Sequence, residues 1–260
     1  MKKMLLTLDV EEFDLPLQFN QKISEKEMYE TSKKGLVLLL NLLDKYKIKA
    51  TFFTTANFAK KYPKLIKSLI LKKHEIASHG YSHSDSFQTI DQLKKAKKEL
   101  EKITKFKIKG FRAPRFNIQN INILPGLGFK YDSSLHPTFI PGRYNNFFKS
   151  RQIHKIGKII EIPPSTTPFV RLPLFWLAFK NLGINYAKQT TKFNFLDSKY
   201  TMLLFHPWEF TDISKFKVPN YIKKNNGKKL LKILENYILF CLKKGYEFDT
   251  VESYLENNKI

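Results

Sequence analysis

One cysteine is all that this chain of 260 residues contains, and a lone thiol excludes an internal disulfide framework. Cys241 sits in the apolar run 237–242, where the expected role is a buried, inert thiol and not a nucleophile. Carboxylates are scarce as well: 23 Asp+Glu face 46 Lys+Arg, for a formal net charge of +23. Such a field favours anionic partners, among them an acidic membrane face or a phosphate-bearing substrate. The lysines are nonetheless spread along the whole chain, as they would be if they only solvated the surface. Zinc-finger spacing, an aromatic RNA-binding signature and a concentrated basic helix are all missing, so nucleic acid is not an expected partner. No apolar run reaches the length of a membrane span: 35–43 contains Asn41, and 172–184 is cut by Pro173 and Lys180. The first residues have a basic end and an apolar run, but Asp9 interrupts it too early for an export signal. The expectation is a soluble cytoplasmic protein, at most peripheral to the inner membrane face. With no internal repeat or low-complexity linker, it is one domain over residues 1–260.

What the chain does have is a core-forming composition, 42% hydrophobic and 14% aromatic. Short apolar segments at 3–10, 49–54, 74–78, 109–113, 129–132, 200–205 and 247–250 read as strands. Helical periodicity fills 36–43, 57–71, 90–103, 172–188 and 228–244, with a weaker helical signal at 118–124. Ser24 with Glu27 three positions on has the spacing of a capping box for the first helix. Alternation of strand and helix predicts a parallel α/β sheet. Asp9, His79, Arg112, Asp132 and His206 each fall at or just after the C-terminal end of a predicted strand, the face where barrels of parallel strands assemble active sites.

Three stretches could carry chemistry. In Asp9-Val10-Glu11-Glu12, strand alternation sends Asp9 and Glu11 to one side, where two carboxylates repel unless a cation intervenes. His79 and His83, four residues apart, share a face if the chain coils after Ser78. With Glu11 they would make a two-histidine, one-carboxylate set that leaves Asp9 free as a base. Glu12 is the alternative ligand if the strand ends early, and an exposed acidic strand end is the plain structural reading. Arg112-Ala113-Pro114 could hold a carboxylate ionised and in place, although most such turns are surface loops. His206 leaves an apolar strand into Pro207-Trp208-Glu209, a partly desolvated position that suits proton transfer, although a lone histidine is more commonly a satisfied core residue.

Together, Thr7-Leu8-Asp9-Val10-Glu11, Ser78-His79-Gly80-Tyr81-Ser82-His83, Arg112-Ala113-Pro114 and Leu204-Phe205-His206 resemble, in order and separation, the motifs of the NodB-homology polysaccharide deacetylase family, carbohydrate esterase family 4. The resemblance implies a distorted (β/α) barrel and metal-dependent hydrolysis of an N-acetyl group on an amino sugar. It implies Asp9 as general base and Glu11, His79 and His83 as ligands of a divalent ion, zinc first, with cobalt or another divalent ion as substitutes. His206 would be the general acid and Arg112 the group that orients Asp9. Two features depart from the pattern. The usual adjacent aspartates are here split by Val10, and an Asp-Trp motif that supports the histidine has no clear counterpart; Asp132-Ser133-Ser134 lies in the right interval, so Asp132 is expected in a supporting or substrate role. Glu161-Ile162-Pro163-Pro164 and His206-Pro207-Trp208-Glu209 resemble a subgroup associated with cell-surface polysaccharide biosynthesis. The substrate would then be an N-acetylated glycan or a phosphate-bearing or lipid-linked precursor, with Arg143, Arg151 and Arg171 as candidate phosphate contacts. Competing expectations are hydrolysis of another C–N bond in a small molecule, and a catalytically silent glycan-binding module docked on anionic membrane.

Overall fold

In the computed structural model, which describes residues 1–83 and 89–260, every residue of β1 (Lys3–Val10) after Lys3 is buried. Such a strand must be covered on both faces. Ser24 caps α1 (Glu25–Lys45), its hydroxyl accepting from the Glu27 amide at 3.2 Å, as the spacing predicts. β2 (Thr51–Thr54) is followed by α2 (Ala56–Lys61) and α3 (Pro63–Leu71), separated where Pro63 starts a new first turn. Next come β3 (Glu75–Ser78), α4 (Ile90–Thr104), β4 (Gly110–Phe111) and β5 (Tyr131–Asp132). The Pro- and Gly-rich middle holds two hairpins, β6 (Phe139–Ile140) with β7 (Tyr144–Asn145) and β8 (His154–Ile156) with β9 (Ile159–Glu161). The chain ends through α5 (Trp176–Asn194), β10 (Tyr200–Phe205), α6 (Asn220–Lys223), α7 (Lys228–Lys243), β11 (Glu247–Asp249) and α8 (Val251–Asn257).

The large sheet runs β10-β1-β2-β3-β4-β5-β9-β8, with β11 beside the first half of β1. All its pairings are parallel except β8 with β9. The result is the expected (β/α) barrel in distorted form. Several predicted elements are shorter than expected or shifted along the chain. The fourth and fifth strands keep two residues each, and the helical signal at 118–124 amounts to a 3₁₀ turn at Ile121–Ile123. The fifth long helix starts only at Trp176, beyond Pro173. Cys241 is a free thiol in the core, and burial pushes it up to about 12. No described helix is long and apolar enough to cross a membrane.

Gly35 lets α1 approach the turn Pro207–Phe210 that follows β10. A Cβ at Gly35 would stand 1.8 Å from the Pro207 carbonyl oxygen. Gly35→Ala is therefore expected to cost about 1–3 kcal/mol through overpacking, read from the urea midpoint.

At the N-terminal end of the barrel, the buried Glu75 carboxyl accepts from the hydroxyls of Tyr131 at 2.5 Å and Thr51 at 2.7 Å and from the Glu252 amide at 3.0 Å. Burial outweighs these bonds and raises it from the ordinary 4.5 to about 7. Between those values the folded protein holds a proton that the unfolded chain has released, so stability falls as the pH climbs through that window. Glu75→Gln is expected to flatten this slope, seen by comparing urea midpoints at about pH 5 and about pH 8.

Candidate metal and proton-transfer site

Three C-terminal strand ends supply the centre. Glu11 follows β1 directly, and both histidines follow β3, but not on a helix. His79 to His83 form an irregular bend with Gly80 at φ 78°. The bend stays open because its carbonyls are already used: the Ala56 and Asn57 amides at the start of α2 donate to Gly80 O and Tyr81 O, both at 3.0 Å. The expected shared helical face is thus replaced by two imidazoles stacked at 6.1 Å between centroids and 17° between planes.

The orientation of each ring is set from behind. His79 Nδ1 donates to Arg112 O at 2.8 Å, and His83 Nδ1 to Asp14 Oδ1 at 2.9 Å. Both Nε2 atoms then point at the same atom, Glu11 Oε2, each at 3.3 Å. That oxygen is buried and has no hydrogen-bond partner among the described residues. Two ligands about 2.1 Å from a tetrahedral zinc lie roughly 3.4 Å apart, so the three donor atoms have the spacing and chemistry of a zinc-type set. Burial alone would raise the Glu11 carboxyl, but the imidazoles of His83, His206 and His79 hold it down to about 2. Glu12, the alternative ligand, points elsewhere: it accepts from the hydroxyls of Tyr29 at 3.3 Å and Thr55 at 3.0 Å.

Asp9 and His206 flank this cluster. Asp9 Oδ1 accepts from Arg112 Nη1 at 2.8 Å, and Asp9 Oδ2 lies 4.0 Å from His79 Nε2. His206 Nε2 lies 3.9 Å from Glu11 Oε1, while its Nδ1 meets Glu209 Oε1 at 3.0 Å. Burial pulls the His206 imidazole down, but Glu11 and Glu209 outweigh it and the net shift is upward. Trp208 stacks on His206 at 5.1 Å and donates its indole N–H to Glu11 Oε1 at 3.3 Å, leaving Oε2 for an ion. Beneath them Lys180, itself buried, lies 3.7 Å from Glu209 Oε2 and under the Trp176 ring at 4.6 Å.

The structure does not bring Asp132 into this group. Its oxygens accept from the Ser134 hydroxyl at 2.7 Å and amide at 3.1 Å, and its strand register sets it beside Glu161. Burial raises both carboxyls, and the mutual repulsion raises Glu161 further. The carboxylate at His206 is Glu209 instead, three residues on and past Pro207, a spacing that a capping-box reading of the sequence could have noticed. Asp14, behind His83, had no such signal. Of the three candidate phosphate contacts, Arg151 is spent on Thr166 O, Asn194 and Asp197, whereas Arg143 lines the cavity above the site.

That cavity, of about 320 Å³, has the acidic and imidazole groups at its floor and Phe116, Tyr144, Trp176 and Tyr221 on its walls. Arg115 and Phe116 both adopt left-handed backbone, at φ 56° and 57°, a strained turn that brings Arg115 within 3.4 Å of Asp14 Oδ2. Asp14→Asn is expected to weaken zinc binding by about 10–100-fold, measured by calorimetric titration, because the carboxylate behind the His83 ring is lost.

The family model described as polysaccharide deacetylase matches residues 29–128, a stretch that holds His79, His83 and Arg112 but neither Asp9, Glu11 nor His206. The peptidoglycan deacetylase of Helicobacter pylori is 33% identical over 115 residues, which span 41% of this chain and 39% of that protein. Among solved structures, a Pseudomonas aeruginosa PAO1 protein named a probable polysaccharide deacetylase aligns with a TM-score of 0.64 at 16% identity. The PuuE allantoinase aligns with a TM-score of 0.66, also at 16% identity. Each of these two alignments covers 96% of this chain and 88% of the other.

Proposed function

We propose that this chain is a member of the NodB-homology polysaccharide deacetylase family, carbohydrate esterase family 4, and from that premise that it is a metal-dependent hydrolase removing an N-acetyl group from an amino sugar. One observation carries the metal dependence: the unpaired, buried Glu11 Oε2 faces two Nε2 atoms whose rings are locked from behind. Held by Glu11, His79 and His83, a divalent cation such as zinc would supply the positive charge that polarises the acetyl carbonyl and eases loss of a proton from water.

The protein's own groups do the rest. Arg112 ties down one oxygen of Asp9, so the other is the one that takes the proton of the attacking water. The water oxygen adds to the carbonyl carbon, the C–N bond breaks, and acetate leaves. His206, with Nδ1 given to Glu209, delivers a proton from Nε2 to the departing amine. The aromatic walls supply flat faces for a sugar ring, and Arg143 at the cavity lining supports a substrate that also carries phosphate.

Incubated with an N-acetylglucosamine oligomer and zinc or cobalt, the protein is expected to release acetate and free amine in equal amounts, with loss on chelation and recovery on metal return. Asp9→Asn and His206→Ala are expected to lower kcat by about 10²–10⁴-fold while zinc still binds. Zinc binding without acetate release from any amino-sugar substrate would overturn the deacetylase assignment.

A further inference from the structure

The rim of the cavity formed by residues 139–172 exposes more apolar surface than a water-facing loop region needs. Phe148 and Phe169 are 91% and 92% exposed, Val170 65% and Phe139 54%. These side chains belong to one patch. The Asn146 amide donates to Thr138 O at 2.9 Å, the Thr138 hydroxyl to Arg171 O at 2.9 Å, and the Arg171 guanidinium lies over the Phe147 ring at 5.9 Å. Phe147 in turn packs edge-on against Phe148 at 5.3 Å. The patch also adjoins the mouth, since Ile140, Pro141, Arg143 and Tyr144 of the same hairpin line the cavity.

Two further features concern how this surface is displayed and charged. Phe169 and Arg171 both adopt left-handed backbone, φ 58° and 55°, where a solvent-facing turn would ordinarily place Gly or Asn. A strained turn here holds Phe169 and Val170 outward. Between Asp132 and Asp197 the only acidic residue is Glu161, and it is fully buried. Beside the apolar side chains the same stretch exposes Arg143 and Lys149. Asp197 follows this stretch and is paired with Arg151, so the charge left over beside the apolar side chains is that of Arg143 and Lys149, and a second copy of the patch would bring these like charges together. The patch matches a surface that is apolar beneath and anionic above.

We propose that this rim docks on an anionic lipid bilayer, with Phe148, Phe169 and Val170 entering the headgroup boundary, Arg143 and Lys149 on lipid phosphates, and the cavity mouth facing the headgroups. If the deacetylase reading also holds, the substrate is an amino sugar borne by that membrane.

Vesicle flotation tests the docking without any turnover, so its failure leaves the deacetylase reading standing, and an inactive enzyme leaves the docking standing. The protein is expected to float with vesicles of equal parts phosphatidylglycerol and phosphatidylcholine and not with phosphatidylcholine alone. Raising the salt from about 0.1 M to about 1 M is expected to release it. The combined variant Phe148→Ser, Phe169→Ser, Val170→Ser is expected to lower partitioning by about tenfold or more, with zinc binding and thermal midpoint unchanged. Three results would overturn the proposal: no flotation with the anionic vesicles, equal flotation of the triple variant, or a wild-type dimer that the triple variant dissolves while vesicles are ignored.

Discussion

A fully buried guanidinium holds the centre of this protein together. Arg112 donates to Asp9 Oδ1 and the Thr7 hydroxyl from Nη1, to Ser133 O from Nε and to the Ser133 hydroxyl from Nη2, and it lies over the Phe53 ring at 4.0 Å. These partners come from β1, from β2 and from the residue after β5, so one side chain ties together strands from across the barrel. A charge taken this far from water is tolerable only when nearly every donor is used, and the planar fork of arginine can do that where lysine could not. The same residue reaches the site twice, because its carbonyl also accepts from His79 Nδ1. The orientation of a base candidate and of a ligand candidate thus depends on one backbone position.

Around that anchor, the site repeats a single arrangement. Each imidazole has one nitrogen committed to a fixed acceptor and the other facing the cavity floor: His79 through a carbonyl, His83 through Asp14, His206 through Glu209. Such pairing selects which nitrogen carries the proton and which is free, and it determines what each ring can do before any ligand arrives. Lys180 and the two tryptophans beneath His206 extend the arrangement one layer further and link the site to α5. Gly35 does so from the other side, since only its missing Cβ lets α1 lie against the turn that carries Trp208.

Much of this was legible in the residues themselves. Apolar runs that no polar alternation interrupts, such as 200–205, indicated strands buried on both faces, and polar groups at their C-terminal ends indicated which end carries the site. Alternation along β1 favoured Glu11 over Glu12, and of these two it is Glu11 that the structure sets at the Nε2 atoms of both histidines. Spacing misled at the histidines, where separation by four residues suggested a helix, although a bend pinned to α2 brings them together. Position along the chain suggested a supporting or substrate role for Asp132, and the structure bonds it to Ser134, beside Glu161 in the sheet and apart from His206.

By itself the sequence determined the local quantities: which segments are strands, where caps and turns fall, and which side chains carry ionisable groups at strand ends. These depend on contacts within a few residues, and composition and period report them directly. Only the tertiary structure decided the pairings between groups far apart in the chain, Asp14 with His83 and Trp208 with Glu11. It also decided the gathering of Phe148, Phe169 and Val170 beside the cavity mouth. Such contacts arise from how whole strands register and how loops cross above them, and no periodicity within a single segment encodes a neighbour that lies a hundred residues away.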